Sequence, residues 1–391
     1  MRILYLTQFF SSTRGGGPLI FYDLAKALSK RGHEVYVICN VATETVDNEN
    51  VKIFTVKPFL ENTYELPPSP THNLRYIWNS MLLAAKIAGE NKIQLIHTNS
   101  FTPVIAGSLL SMIKGIPMIA SIHDVFTNKD KSNWQNWTHY NNLPNYYSII
   151  GRIYEQISLH MPFDMIHSIS DTTKNDLLPY IGKRAIRVVY PAIDDRNYTT
   201  VKPTYGNFIL YIGRLVFYKN IDVLIKAYDE VIKEEPTAKL IIVGEGPMEE
   251  ELTNLVRSLD ISENVLFTGH ISHQSKIDLL SRCSALALPS MFEGFGLVIL
   301  ESFAMAKPVL VAKVHPLDQI VDHGVDGYLL PHNDPREWAA AIMTLLTNNQ
   351  LCQEMGRNAA KKLKDKYDFE RYIESMETLY ADTIGGLAKR R

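Results

Sequence analysis

Phe208-Ile209-Leu210-Tyr211-Ile212-Gly213-Arg214-Leu215 is the stretch that decides the fold: five apolar residues run without alternation into a glycine and a cation. A continuous apolar run of this length marks a strand buried on both faces, as in a parallel sheet; a half-solvated strand would alternate. A helix is predicted behind it from Ile221 to Lys233, because Val223, Leu224, Ala227 and Val231 recur on one side of a helical turn. The same rhythm continues through Leu240–Val243, Val265–Phe267, Ala285–Leu288, Val309–Val311 and Tyr328–Leu330. It also fills the first half, where Ile3–Leu6, Val35–Cys39, Leu95–Thr98, Met118–Ile122 and Met165–Ile169 read as strands. Between the first two, a helix from about Pro18 to Lys30 opens on a proline, carries Phe21, Leu24, Ala25 and Leu28 as its stripe, and stops at Gly32. Strand–helix alternation with right-handed crossovers gives a doubly wound α/β sheet, and two such runs give two domains. They are expected at 1–195 and 196–368, joined near Pro191–Pro203. From about Trp338 onward the chain reads as helical, and 369–391 is expected to return to the first domain and end in a frayed basic tail, Lys389-Arg390-Arg391.

Bulk properties agree with two soluble cores. The chain has 391 residues, more than one core usually serves, and 46% of them are hydrophobic. A formal charge of −2 argues against a general nucleic-acid binder. Cys39, Cys283 and Cys352 are scattered, odd in number and without metal-ligand spacing, which fits a reducing cytosol. The apolar run at Met1–Leu6 is too short for a signal peptide. The longest uncharged stretch, Ile93 to Ile113, contains His97, Thr98, Asn99, Ser100 and Pro103, which rules against a membrane span. A cytoplasmic protein is expected, with room for a peripheral contact at the inner face of the membrane. Residues 126–150 break the pattern: Trp134, Trp137, Tyr140, Tyr146 and Tyr147 sit among asparagines and lysines. The segment reads as an aromatic loop, either a packed excursion or a surface for an acceptor or a membrane interface.

Ligands of an open parallel sheet bind beyond the carboxyl ends of its strands, and the unusual residues of this chain fall at that edge. Gly15-Gly16-Gly17 precedes a helix, where free amides and the dipole make either an anion site or a plain tight turn. There is neither Gly-x-Gly-x-x-Gly nor a Walker-type Gly-Lys-Ser/Thr, so hydride transfer and P-loop chemistry lose their usual support. His123-Asp124 ends an apolar strand; a lone histidine is commonly structural, but the edge position favours a functional one. Gly213-Arg214-Leu215, with Lys219 five residues on from Arg214, supplies two cations for a diphosphate, or else a solvated basic turn. Gly244-Glu245-Gly246-Pro247 closes the next strand. Glu293 and Glu301 bracket Gly294-Phe295-Gly296-Leu297, which predicts Glu293 in a loop and Glu301 in the second turn of a helix starting near Gly296. Two such carboxylates suit sugar and ribose hydroxyls; the competing reading of Glu301 is a partly buried acid paired with a base.

These stretches resemble the retaining glycosyltransferases of family 4. The strongest match is Glu293-Gly294-Phe295-Gly296-Leu297-Val298-Ile299-Leu300-Glu301, similar to that family's Glu-x7-Glu signature. Gly15-Gly16-Gly17, Ser121-Ile122-His123-Asp124, Val243-Gly244-Glu245-Gly246-Pro247, Val265-Leu266-Phe267-Thr268-Gly269 and Asp326-Gly327-Tyr328-Leu329-Leu330 follow in the family's order across nearly the whole chain. The resemblance implies GT-B architecture, two Rossmann-like doubly wound domains facing across a cleft that closes on the donor. It implies that Arg214 and Lys219 hold a donor diphosphate, Glu293 contacts the transferred sugar, and Glu301 the ribose. Backbone amides at Phe295, Gly296 and Leu297 would meet sugar and phosphates, and His123 the outer sugar hydroxyls. Gly16 and Gly17 would lie beside phosphates and acceptor, with Gly213 and Gly244 in the donor loops and Gly269 and His270 flanking the base. Two stretches depart from the family. His315-Pro316-Leu317-Asp318-Gln319-Ile320-Val321 places Gln319 where an acid is usual, and Pro191-Ala192-Ile193-Asp194 lacks the usual Asn-Gly.

The expected activity is transfer of a hexosyl unit, with retention, from a UDP- or GDP-linked sugar to a glycan or lipid-linked acceptor hydroxyl. No cofactor is expected beyond the sugar-nucleotide substrate. There is no Asp-x-Asp in the chain, so no metal is expected and protein cations would meet the diphosphate charge. The rival readings are a sugar-nucleotide epimerase of similar architecture and a non-catalytic nucleotide-binding subunit of a glycan-assembly complex.

Overall fold

The computed structural model describes residues 1–12, 15–43, 45–57, 70–129, 133–140, 143–182, 184–198 and 202–388. It divides into two compact units, Met1–Pro191 with Glu370–Arg391, and Ala192–Phe369. The tail Lys389-Arg390-Arg391 and residues 199–201 of the expected linker lie outside the described residues.

The first unit runs β1 (Arg2–Leu6), β2 (Phe9–Phe10), α1 (Gly17–Lys30), β3 (Glu34–Cys39), β4 (Val41–Ala42), β5 (Val51–Thr55), α2 (Pro70–Asn91), β6 (Leu95–Thr98), α3 (Thr102–Lys114) and β7 (Met118–Ile122). It continues with α4 (Phe126–Lys129), α5 (Asn133–Tyr140), α6 (Tyr146–His160), β8 (Met165–Ser168), α7 (Asp171–Ile181) and β9 (Ile186–Val188). Its main sheet has the order β5-β3-β1-β6-β7-β8-β9, parallel at every pairing. The central strands are fully buried, as the unbroken apolar runs predict. Two strands escape that reading because they sit at the sheet edges. Val51–Thr55 is half-solvated and carries the exposed Lys52, and Ile186–Val188 is three partly exposed residues around Arg187. The segment 126–150 differs from the loop expected: among its described residues, 126–129, 133–140 and 146–150 are helical, forming α4, α5 and the start of α6. Trp134 holds them together, buried over Gly151 and donating its Nε1–H to Glu155 at 3.1 Å.

A buried polar seam crosses the first sheet. Tyr5 and Tyr380 hydroxyls meet at 2.9 Å, Tyr380 reaches His97 Nδ1 at 2.8 Å, His97 Nε2 reaches Ser121 Oγ at 2.6 Å, and Ser121 reaches His167 Nδ1 at 2.7 Å. His167 Nε2 then meets the Val189 carbonyl at 3.0 Å. That carbonyl only accepts, so His167 donates from Nε2, and each earlier group in turn donates toward Val189. The chain is satisfied with both imidazoles neutral, and burial lowers both pKa values, that of His167 to about 4.

The second unit runs β10 (Phe208–Ile212), α8 (Ile221–Glu234), β11 (Lys239–Val243), α9 (Glu249–Ser258), β12 (Val265–Gly269), α10 (His273–Arg282), β13 (Ala285–Leu288) and α11 (Leu297–Ala304). β14 (Val309–Ala312), α12 (Leu317–Ile320), β15 (Gly327–Leu330), α13 (Pro335–Thr347) and α14 (Asn349–Lys366) complete it. The last helix, α15 (Phe369–Ala388), falls with the first unit from Glu370 on and brings Tyr380 to the seam. The second sheet has the order β12-β11-β10-β13-β14-β15, again parallel. Both sheets therefore reverse direction of winding once, between β1 and β6 in one and between β10 and β13 in the other. Crevices for ligands open at the carboxyl ends of these strand pairs. Among the described residues no helix is long and apolar enough to cross a membrane.

Candidate functional site

In the second unit the switch point gathers most of the residues singled out from the sequence. Gly213-Arg214 follows β10, and Ser290 to Gly296 follows β13 and leads into α11. Lys219 Nζ pairs with Glu293 Oε1, which also accepts from Ser290 Oγ at 2.8 Å. Both side chains are largely buried, at 14% and 10% exposure, so the ammonium is held where water screens it little. Arg214, exposed, donates from Nη2 to the Tyr218 hydroxyl at 2.6 Å. The Tyr218 ring stacks on Phe292 at 4.5 Å, next to Glu293, and Met291 N–H donates to the Tyr218 carbonyl at 2.8 Å. The two loops are thus one braced unit that carries two cations and a carboxylate. Phe295 turns its ring into the core against Tyr367, so what this residue presents at the edge is backbone. Leu297 and Val298 open α11, and first-turn amides have no partner within their own helix. Amides and dipole together suit an anion there.

Glu301 lies in the second turn of α11, is 4% exposed, and accepts from Lys276 of α10 at 2.7 Å. The paired-acid reading of Glu301 describes this arrangement. Gly213, Gly244, Gly269 and His270 come together as stacked turns. Gly213 N–H donates to Val243 O at 3.0 Å, Gly244 N–H to Gly269 O at 3.0 Å, and His270 N–H to Glu245 Oε1 at 3.2 Å. Gly244 has φ +130, and a Cβ there would overlap the Gly213 carbonyl, so only glycine lets the turns close this tightly. Gln319 is exposed on α12, and the nearby His315 and Asp318 pair at 2.7 Å. Leu317 turns inward against Gly296.

In the first unit the corresponding edge holds Gly17, His123 and Asn99. A Cβ on Gly17 would lie 3.0 Å from Asn99 Nδ2 and 3.2 Å from His123 Nε2, so the glycine keeps both groups accessible to one spot. Gly16 caps α1 with open space around it. His123 Nε2 is buried without a hydrogen-bond partner among the described residues. Desolvation, with His167 nearby, depresses its pKa to about 3, so the ring is neutral and one nitrogen is a lone unsatisfied group. Its backbone is pinned, N–H to Ser100 Oγ at 3.2 Å and carbonyl to Thr173 Oγ1 at 3.0 Å. Beside this edge lies a small, largely apolar cavity, open to solvent, between Phe101, Trp134, Trp137, Tyr147, Tyr154 and Gln8. Phe101, two residues past Asn99, holds φ +67, a strained value for a bulky residue and one that clusters at functional sites.

Sequence reading missed Asn99, Lys276, Tyr218 and Ser290. Asn99 directly follows a buried strand at the correct edge, a signal present in the sequence. Lys276 gives none, because only the packing of α10 on α11 brings it to Glu301. Among the described residues no three His, Cys, Asp or Glu side chains converge as metal ligands would.

Two doubly wound parallel-sheet units of this kind make up the GT-B architecture. Residues 197–362 match the family described as "Glycosyl transferases group 1" and residues 14–197 match "Glycosyltransferase Family 4", and the chain belongs to these glycosyltransferases. N-acetyl-alpha-D-glucosaminyl L-malate synthase of Bacillus anthracis is 25% identical, over 95% of this chain and 94% of that protein. The fold is shared with sucrose-phosphate synthase of Thermosynechococcus elongatus, TM-score 0.82 at 19% identity, covering 99% of this chain and 100% of that one. It is shared too with HepE of Anabaena in complex with UDP-glucose, TM-score 0.73 at 21% identity, covering 97% and 100%.

Proposed function

We propose that this chain moves a hexosyl unit, with retention at the anomeric carbon, from a UDP- or GDP-linked sugar to the hydroxyl of a glycan or lipid-linked acceptor. The observation that carries the reading is the braced group of Arg214, Lys219 and Glu293 at the N-terminal end of α11. The structure of HepE with UDP-glucose supports a nucleotide-sugar donor in a fold of this kind.

Negative charge builds on the diphosphate as the glycosidic bond breaks, so donors aimed there act most strongly in the transition state. Arg214 grips phosphate oxygens, Lys219 shares its ammonium between Glu293 and the diphosphate, and the first amides of α11 complete the cradle. Glu293 takes the sugar hydroxyls and Glu301 the ribose hydroxyls through its second oxygen. His123 of the first unit, neutral and with a bare Nε2, offers that nitrogen to a substrate hydroxyl. The acceptor hydroxyl enters on the face the diphosphate leaves, and protein cations do this work without a metal. The polymer or glycolipid so extended is made in the cytoplasm or at the inner face of the membrane.

Arg214→Ala is expected to lower kcat/KM about a hundred- to a thousandfold with the fold intact. Turnover of the intact chain should be unaffected by EDTA. UDP or GDP, but not ADP, should raise the melting temperature of the intact chain by mass action. Full turnover in Arg214→Ala would remove the diphosphate assignment.

A further inference from the structure

Helices α2 and α6 reverse the usual pattern of a surface helix. The inward side of α6 buries Glu155, Ser158 and Leu159, while Tyr146, Ile149, Ile153 and Ile157 stand 53%, 63%, 50% and 44% exposed. Spacings of three and four residues put these four on one stripe. On α2, Leu74, Trp78 and Leu82 recur every fourth residue and are 59%, 60% and 50% exposed, opposite a buried side of Tyr76, Ser80 and Ile87. α3 packs against both helices and exposes Met112 and Ile113 in its last turn. Scattered exposed apolar residues are ordinary, but stripes on two helices, joined by the apolar last turn of a third that packs against both, make a surface.

Charge indicates what covers it. The exposed ionic side chains on these helices are Arg75, Lys86, Lys114 and Arg152 against Glu90 alone. None of the four cations has an acid partner among the described residues. Two copies meeting through this face would set cation against cation, which disfavours self-association. An oily strip edged by Trp78, Tyr146 and cations instead matches a bilayer, whose acyl boundary takes the side chains and whose anionic headgroups take the charge. The aromatic cavity lies between the same helices, with Asn73 beside Leu74 and Tyr147 beside Tyr146, so the strip borders the edge that holds His123. The geometry points to a membrane-docking face: the outer surface of α2, α3 and α6 seats the first unit on an anionic lipid bilayer.

Flotation of the full chain with vesicles tests this, without nucleotide or acceptor, so the result is independent of the transferase reading. The chain should float with phosphatidylcholine–phosphatidylglycerol vesicles and far less with phosphatidylcholine alone. Ile149→Glu with Ile153→Glu should lower partitioning at least about tenfold at an unchanged melting temperature. Arg75→Glu with Arg152→Glu should erase the preference for anionic vesicles, worth about tenfold or more. Leu266→Glu, at a 56% exposed position of the second unit, should float as the unaltered chain does. Three results would overturn the proposal: an unaltered chain that ignores both vesicles, an Ile149/Ile153 variant that floats normally, or a dimer that this variant dissolves without any lipid binding.

Discussion

Lys276 and Glu301 form a pair in which the carboxylate is the deeper partner, 5% exposed against 15% for the lysine. Removing the lysine strands a buried charge, whereas removing the acid leaves an ammonium on a flexible stem that can reach water. Lys276→Ala should therefore cost about 3–5 kcal/mol in urea unfolding, and Glu301→Gln clearly less. Equal, small losses in both would mean that the pair is solvated. The acids were legible in the sequence because Glu293 and Glu301 flank a glycine turn and a helix start. Their partners were not uniformly so. Lys219 lies near Arg214 in the chain, but Lys276 sits on a separate helix, and no spacing rule reports which face of α10 meets α11. Asn99 is a different case: it follows a buried strand, and its polarity was read only as an objection to a membrane span.

Seven- and six-stranded parallel sheets were largely legible because their central strands are buried on both faces and so leave unbroken apolar runs. The edges were not, since Val51–Thr55 and Ile186–Val188 trade that signature for solvent. Residues 126–150 were misread as a loop because their helices are short, and because the packing that orders them centres on Trp134 and Gly151. The seam of Tyr5, Tyr380, His97, Ser121 and His167 joins strands and the last helix, and its bond directions make a testable asymmetry. Tyr380 is the donor to His97 Nδ1, so Tyr380→Phe leaves a buried acceptor empty, at about 1–3 kcal/mol. Tyr5 only begins the chain, and Tyr5→Phe leaves every later bond in place. Denaturation of the two variants should rank Tyr380→Phe as the more harmful. The opposite order would reverse the direction assigned to the chain.

Stability of the folded molecule against acid follows from the same imidazoles. His97, His123 and His167 are all depressed by burial, His123 to about 3 and His167 to about 4. In the unfolded chain each titrates near 6.5, roughly the ordinary histidine value. Below that pH the unfolded chain takes protons that the folded one refuses, so stability is complete above about pH 6.5 and falls as the pH drops. Each refused proton contributes about 1.4 kcal/mol per pH unit, and three give a limiting slope of about 4. Glu155 and Asp326 act in the opposite sense, because burial raises their carboxyls and the folded chain takes those protons first. Two opposing groups against three, titrating from a lower starting pH, leave a net loss. Urea unfolding at steps between about pH 7.5 and pH 5 should show the decline, and His123→Asn should reduce its slope by about one proton. A flat profile would place these imidazoles in contact with water, and an unchanged slope in His123→Asn would take that ring out of the buried set.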